Sequence, residues 1–483
     1  MIDEIINERI KKVNLLKEAG VQAYPARVKR SSSISDVLKN FSALLKSKKK
    51  VSIAGRIMSI RDQGNLLFID CLDETGAIQC VFKKDNLSNF KFLKSVFDRG
   101  DFISATGPVF KTKKGEKSIE VKSSSMLVKS IRPLPTDWYG LEDIESRLRE
   151  RYVDLIVHPE NREMFRKKSV FWASVRDFLI KNNFTEVETS VLEPIPGGAE
   201  ANPFVTHHNA LDTDFYMRIS LELQLKKLMV GGFENVFEIG RVFRNEGIDR
   251  EHLQDYTALE FYWAWHDYND LMKFTEKMFK EVIKKTTGGL VTTNQGVKIN
   301  WGKKWKKVDY VEAFKKANNL DPLSASVDEL MAKALKLEIK VEDNFGAGRL
   351  IDLIYKKTVR PYLIQPCFLI NPPVLIEPLA KRSEKDSRIA ERMQIVAVGT
   401  ELGKGFSELN DPLDQRSRFE DQMKLREAGD SEAQMLDEDF LRALEYGMPP
   451  TAGFGMSERL FAVLMDKPIR ETVFFPLMKI KGK

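Results

Sequence analysis

Cysteine is scarce: Cys71, Cys80 and Cys367 are the only three in 483 residues, with no CxxC pair and no histidine cluster beside them. That excludes a disulfide framework and offers no zinc-ligand spacing, so all three read as core thiols. Long apolar runs are also missing, none nearing the roughly 18 residues that cross a bilayer. The N-terminus, MIDEIINERIKK, carries acids and lacks the apolar stretch of a signal peptide, so no membrane is implicated and the expected location is cytoplasmic. What is present, 42% hydrophobic and 30% charged residues, belongs to a soluble folded chain too long for a single core. A net charge of +7 is compatible with a polyanionic partner without requiring one. Its distribution says more: Lys46, Lys48, Lys49, Lys50, Lys111, Lys113, Lys114 and Lys117 lie in the first third, either as a solvated face or as a footprint for a polyanion.

The first helix is read at 2–19, from apolar positions at Ile2, Ile5, Ile6, Ile10, Val13 and Leu16. From Val51 the period changes to two. Strands at 51–60, 66–72, 77–83, 101–110 and 118–128, with a helix at 87–97 after the third, predict a five-stranded OB barrel, a common carrier of single-stranded nucleic acid. Arg61, Phe68, Gln79 and Glu116 fall where a barrel face presents a stacking ring and hydrogen-bonding groups to unstacked bases, core packing being the other reading of Phe68. The domains read as a helix and lead-in at 1–50, the barrel at 51–132, a proline-containing linker with one helix at 133–160, and a second domain at 161–483.

In the second domain a helix is expected at 161–183, followed by FTEVETSVL and IPGGAEANPF, whose Gly197 and Gly198 permit a turn or close backbone approach. A helix at 219–230 carries Glu222. The segment VFEIGRVFRNEGIDREHLQDYTALEFYWAW reads as an antiparallel hairpin with a long loop. It puts Arg244 at the end of one strand and Glu260 and Tyr262 on one face of the other, either as a solvated ion pair or as charges with work to do among apolar strands. Glu401 and Glu408, in IVAVGTELGKGFSELND, are either loop acids or ligands for magnesium or a cationic substrate. In PPTAGFGMSERLFAVLMD, glycines lead toward a helix with Arg459 in its first turn, an arrangement suited to phosphate. No chemistry is read between 265 and 350, and the lysine-rich stretch from Trp301 to Lys307 reads as a solvated loop.

Together RPLP, RERYVDL, PGGAEANPF, THHNALD, LMVGGFENVFEIGRVFRNEG, FSELNDP, EYGMPPTAGFG and the FFPLMK end resemble the class II aminoacyl-tRNA synthetases, specifically class IIb and within it the lysyl-tRNA synthetases, over nearly the full length. The resemblance implies an α+β fold: an N-terminal anticodon-binding barrel, then a six-stranded antiparallel sheet flanked by helices, in a homodimer. It implies activation of L-lysine by ATP to lysyl-adenylate, then transfer to the 3' end of tRNA(Lys). On matching positions, Arg244 takes the α-phosphate and the amino-acid carboxylate, Glu246 the adenine edge with His252 and Tyr256 nearby, and Arg459 the γ-phosphate. Gly198 and Glu222 receive the α-amino group; Glu408 and Tyr262, with Glu260, receive the ε-ammonium; Glu401 and Glu408 are the magnesium ligands. Arg61, Phe68, Gln79 and Glu116 match anticodon-contacting positions. No Ser, Cys or His nucleophile is required, because the substrate carboxylate attacks phosphorus and the enzyme aligns and neutralises anions.

Some positions depart from the family pattern. Ser190 stands for a proline of the first motif, and His252, Leu253, Gln254, Asp255 and Tyr256 stand for HNPEF. Gln394 replaces an acid, Lys404 replaces an asparagine, and the third motif is one residue short between Gly453 and Arg459. Exchanging a carboxylate for an amide and adding an ammonium predicts fewer tightly held magnesium ions. An aspartyl or asparaginyl synthetase, a ligase that attaches lysine to a protein, and a catalytically silent RNA-binding protein are the competing readings. The anionic set Glu222, Glu260 and Glu408 speaks against the first, the complete barrel against the second, and Arg244, Glu246 and Arg459 against the third.

Overall fold

The computed structural model describes residues 2–135, 141–247, 252–342, 345–429 and 433–480. Part of the linker (136–140) and part of the hairpin loop (248–251) lie outside the described residues. The chain forms two compact units, Met1–Asp143 and Ile144–Lys483.

In the first unit, strand Lys50–Asp62 alternates inward Val51, Ile53 and Ile57 with outward residues, and it is long enough to pair on both sides. It runs antiparallel to Leu66–Asp73 on one side and to Phe102–Lys111 on the other. Leu66–Asp73 pairs with Gly76–Lys83, which joins Lys117–Val121 in parallel, and that strand returns to Phe102–Lys111 and closes the barrel. The strand expected at 118–128 is broken at Lys122, whose N–H turns to the Thr106 carbonyl (2.8 Å), so Ser123–Val128 continues as a sixth segment. The helix after the third strand is Phe90–Val96 and the first helix is Ile2–Glu18. That first helix is fastened by Arg9, which donates to the carbonyls of Ser130 (2.9 Å) and Arg99 (3.1 Å), and by Lys12 against Asp98 (2.8 Å). Two lead-in helices, Ile34–Lys39 and Phe41–Ser47, were not legible in the sequence; Ile34, Val37 and Phe41 join the barrel core.

The second unit is built on an eight-stranded sheet. Its order is Lys306–Asp309, Cys367–Ile370, Arg392–Ala397, Thr400–Ser407, Thr451–Ser457, Asp255–Ala264, Asn235–Phe243 and Thr185–Glu186. The six inner strands are antiparallel throughout, as expected, and a short strand joins each edge in parallel. One face is covered by helices Pro159–Lys181 and Tyr268–Thr287, whose Phe171, Phe178, Leu271 and Phe279 pack on Phe261, Phe454 and Ile395. On the other face, helices Glu222–Val230 and Glu438–Glu445 pack on Val236, Tyr262 and Phe406. Alternation along Asp255–Ala264 sends Leu259 and Phe261 toward the first face and Tyr262 toward the second.

Three sequence readings change here. Residues 144–157, expected as part of a linker with one helix, form two, Ile144–Arg149 and Arg151–Val157, within the second unit. Buried Arg151 bonds Asp154 (2.8 Å) and donates to the carbonyls of Glu471 (3.2 Å) and Phe474 (3.2 Å). The stretch around Trp301 is no simple solvated loop: Trp301 and Trp305 are buried, and the Trp305 indole N–H donates to the Trp301 carbonyl (3.2 Å). The glycines expected to lead into the helix, Gly453 and Gly455, sit on strand Thr451–Ser457, and the helix begins at Arg459.

Candidate active site

Glu260 and Tyr262 stand two apart on their strand and meet helix Glu222–Val230 end-on. The Tyr262 hydroxyl donates to Glu260 Oε2 (3.1 Å), while the Ser220 hydroxyl (2.7 Å) and Leu221 N–H (3.0 Å) donate to Oε1. Burial and then the charge of Glu222 push the Glu260 carboxyl up to about 7, against the pull of these three donors. Burial and the surrounding carboxylates likewise raise the Tyr262 phenol well above its usual value, so it remains a donor. Glu222 is buried at the start of its helix. Gly198, at φ +82°, packs so closely that a Cβ there would lie 2.9 Å from Glu222 Cβ and 3.0 Å from Ser220 Cβ, so only glycine fits. Glu408 completes the group: its carboxylate faces Gly453, where a Cβ would fall 2.0 Å from Glu408 Oε1 and 2.6 Å from Tyr262 Cε1. Gly198, Glu222, Glu260, Tyr262 and Glu408 therefore form one acidic cluster.

Beside it, Arg244, Glu246, His252, Tyr256 and Arg459 line a single cleft. The Arg244 guanidinium lies 5.7 Å from the centre of the Tyr256 ring, and its Nε donates to the Ile219 carbonyl (3.3 Å), which aims it into the cleft rather than into solvent. Arg459 reaches the same cleft despite the shortened third motif, because Glu458 fixes the turn before it. Buried Glu458 accepts the Thr257 N–H (3.0 Å) and pairs with Lys168 Nζ (2.5 Å), which also donates to the Thr472 carbonyl (2.8 Å). Neither Glu458 nor Lys168 was singled out from the sequence.

Glu401 and Glu408 keep different company. Burial raises the Glu401 carboxyl, but Arg459, Lys404 and Arg392 outweigh it and hold the group down at about 2. Glu408 lies against Lys226, a residue the sequence reading passed over, with Glu222 and Glu260 as further neighbours. Among the described residues no group of three or more His, Cys, Asp or Glu side chains is placed to hold a metal ion. Magnesium takes one or two carboxylates and completes its shell with phosphate and water. A permanently ionised Glu401 beside the cleft fits that pattern for an ion carried by a polyphosphate. Gln394 is buried with no hydrogen-bond partner at Oε1 among the described residues, and the ammonium of Lys404, half exposed, lies 3.5 Å from Glu377.

On the barrel, Arg61 stands opposite Phe68 in register, and Asp70 opposite Gln79. Leu67 and Ile69 point into the core while Phe68 is half-buried on the outer face, which settles against core packing for that ring. Gln79 accepts from the Ser118 hydroxyl (3.0 Å), and exposed Glu116 sits in the adjoining turn. Asp70, not foreseen, accepts from Ser59 and pairs with Arg61 (3.4 Å) on the same face.

Known proteins resemble both units. A family described as tRNA synthetases class II (D, K and N) matches residues 143–479, and an OB-fold nucleic acid binding domain matches residues 51–128. The lysine–tRNA ligases of Carboxydothermus hydrogenoformans and Moorella thermoacetica are each 43% identical, covering 99% of this chain and 98% of theirs. That of Fervidobacterium nodosum is 42% identical, covering 100% of this chain and 95% of its own. With that family matched over more than half of its length and relatives at 42–43% identity matched from end to end, the chain belongs to the class II tRNA synthetases (D, K and N).

Proposed function

We propose that the chain is a lysine–tRNA ligase that condenses L-lysine with ATP, releasing pyrophosphate, and passes the lysyl group from the adenylate to the 3' end of tRNA(Lys). The observation that carries this is the gathering of Glu222, Glu260 and Glu408 with the Tyr262 phenol in one buried cluster, next to a cleft with two arginines. A long cation with an ammonium at each end suits this acidic group; a side-chain carboxylate would add a further anion to it, and an amide would bring no positive charge.

Glu222 and the Gly198 backbone receive the α-amino group, and Glu408 with Tyr262 and Glu260 receives the ε-ammonium. Arg244 draws the substrate carboxylate and the α-phosphate together and takes up charge as the carboxylate oxygen bonds to phosphorus and pyrophosphate leaves. Arg459 holds the γ-phosphate end, while Tyr256, His252 and Glu246 seat the adenine. Glu401 would hold a magnesium ion accompanying the triphosphate, which when bound supplies neutralisation of phosphate charge. With Gln394 an amide and Lys404 an ammonium, fewer such ions are held tightly. Titration of magnesium in the presence of ATP tests this, and a stoichiometry equal to that of a relative with an acid at that position refutes it. Arg61, Phe68, Gln79 and Glu116 contact the anticodon, and the protein works in the cytoplasm as a homodimer. Among the described residues, no helix is long and apolar enough to cross a membrane.

ATP/pyrophosphate exchange with single amino acids tests the whole reading. Exchange dependent on lysine supports it; exchange with aspartate or asparagine, or with none, overturns it.

A further inference from the structure

The lysines of segments 46–50 and 111–117 come together at one end of the barrel. Strand Lys50–Asp62 starts there, with Lys50 paired to Pro108. Strand Phe102–Lys111 ends there and Lys117–Val121 starts there, with Lys111 directly opposite Lys117. Helix Phe41–Ser47 packs on strand Phe102–Lys111 and brings Lys46, Lys48 and Lys49 to the same end. The Lys117 ammonium lies 5.4 Å from the centre of the Phe41 ring, which ties the turn at 112–116 to that helix. The two segments hold eight lysines, all exposed, and one acid, Glu116.

Cations on the neighbouring strands are matched, Lys83 and Lys122 by Glu120 (3.4 Å and 2.9 Å) and Arg61 by Asp70 (3.4 Å). Among the described residues none of the eight rim lysines has a carboxylate partner. A merely solvated face explains this poorly. Like charges directly opposite on antiparallel strands repel, and Lys111 and Lys117 stand so. Lys48 ends helix Phe41–Ser47 in the left-handed conformation, φ +53°, which glycine or asparagine adopts at less cost. The helix dipole favours cations at that C-terminus, but it does not reach those of 111–117. The rim also adjoins the face that carries Arg61, Phe68 and Gln79. Gln79 stands in register with Ser118, the residue after Lys117, and accepts from its hydroxyl (3.0 Å), while Glu116 belongs to the lysine-bearing turn itself.

We propose that this lysine rim is a phosphate-binding surface that holds the tRNA backbone where it leaves the base-contacting face, adding affinity without sequence preference; this rests on the reading of that face as the anticodon site. Bases lying at Phe68 and Gln79 have phosphates on either side of them, and the rim is what flanks the face on one side. Ammonium groups without carboxylate partners meet phosphates at no cost in broken ion pairs, and the counterions released favour the complex. Lysine, a point charge on a flexible stem, holds a backbone without demanding one geometry from it. Continuity with a barrel matched to nucleic-acid-binding domains favours RNA over an acidic protein.

The test is the salt dependence of tRNA binding by the full chain, followed by fluorescence anisotropy with a labelled tRNA(Lys) transcript and with the same transcript carrying another anticodon. Each lysine engaged on a phosphate contributes about 0.7–0.9 to the slope of log affinity against log salt. The triple variants Lys48→Gln/Lys49→Gln/Lys50→Gln and Lys111→Gln/Lys113→Gln/Lys114→Gln are each expected to make that slope shallower by about 2, and to weaken both transcripts by the same factor. Thermal unfolding should match the parent, because the replaced side chains are exposed. Lys17→Gln/Lys91→Gln removes exposed charge from helices Ile2–Glu18 and Phe90–Val96, at the end of the barrel where strand Phe102–Lys111 begins, and should keep the parent slope. A parent slope retained by either triple variant overturns the proposal. So does an equal loss per lysine in the Lys17/Lys91 control, since charge anywhere would then serve as well, and so does a loss confined to one anticodon, which would make the lysines base readers. A parent chain that binds both transcripts equally would instead defeat the anticodon reading of the face, while the slopes still decide the rim.

Discussion

Replacing Gly453 by alanine is expected to injure lysine recognition while sparing ATP. The new methyl carbon would lie 2.0 Å from Glu408 Oε1, 2.6 Å from Tyr262 Cε1 and 3.0 Å from Glu408 Cδ. Carbon contacts are comfortable at about 3.5–4.0 Å, so one of the two side chains must leave. Both are buried, Glu408 at 1% and Tyr262 at 2% exposure, and neither has an open side to turn to. Overpacking of this kind costs about 1–3 kcal/mol of stability. Moving Glu408 away from the substrate ammonium removes a charge-assisted hydrogen bond of about 1.5–3 kcal/mol. That converts to roughly a 10- to 150-fold rise in the KM for lysine. Two residues along, Gly455→Ala is the control: its Cβ would meet only Glu260 Cγ at 3.4 Å and more distant atoms at ordinary contact. Lysine-dependent ATP/pyrophosphate exchange, with lysine and ATP varied separately and thermal unfolding followed in parallel, reads both variants. A Gly453→Ala protein with the parent's KM for lysine, or a Gly455→Ala protein equally impaired, would refute the reasoning.

Other perturbations separate the parts of the site. Because the Glu260 carboxyl is pushed up to about 7, the empty site carries a proton below that pH and loses it above. A cation binds better once the proton is gone, so lysine affinity rises as pH passes upward through about 7, and Glu260→Gln should flatten that rise in titration calorimetry. Tyr262→Phe removes the donor to Glu260 Oε2. Leaving that acceptor unsatisfied costs about 1–3 kcal/mol, expected as roughly a 5- to 150-fold higher KM for lysine in the exchange assay. Lys168→Met takes the nearer cation from the buried Glu458 carboxylate, leaving it Arg241 at 3.8 Å, a loss below the about 3–5 kcal/mol of a fully unpaired buried charge but visible in denaturant unfolding, and loosens Arg459 enough to raise the KM for ATP. Phe68→Ala should weaken tRNA binding by about 1–3 kcal/mol, the value of one stacked base, while leaving exchange in the absence of tRNA unchanged.

The residues that were legible are those whose type and spacing already carry a chemical demand. Glu260 and Tyr262 share a face because strands alternate, and Arg244 stands at the end of a strand whose apolar pattern marks it plainly. Gly198 was visible as half of a glycine pair, though only the structure shows that Glu222 is what its missing side chain makes room for. Other features were hidden because long-range packing decides them. Lys226 reads as an ordinary helix-surface partner of Glu222, and its burial depends on Glu408 arriving from a remote segment. The edge strand Thr185–Glu186 has two residues, too few to display a period, and Arg151 shows its role only when the carbonyls near Phe474 reach it. Glu401 and Glu408 looked alike in sequence beside their glycines, and the cations that surround each one separate them.

The fastening of helix Ile2–Glu18 has a practical consequence for anyone dissecting this protein. A fragment begun at Val51, where the match to nucleic-acid-binding domains starts, would strip Leu16, Ile34, Val37 and Phe41 from the hydrophobic interior. It would also leave the carbonyls of Ser130 and Arg99 without the guanidinium that caps them. The smallest piece that can be expected to stand alone therefore includes the opening helix, and tags belong ahead of it, not in its place.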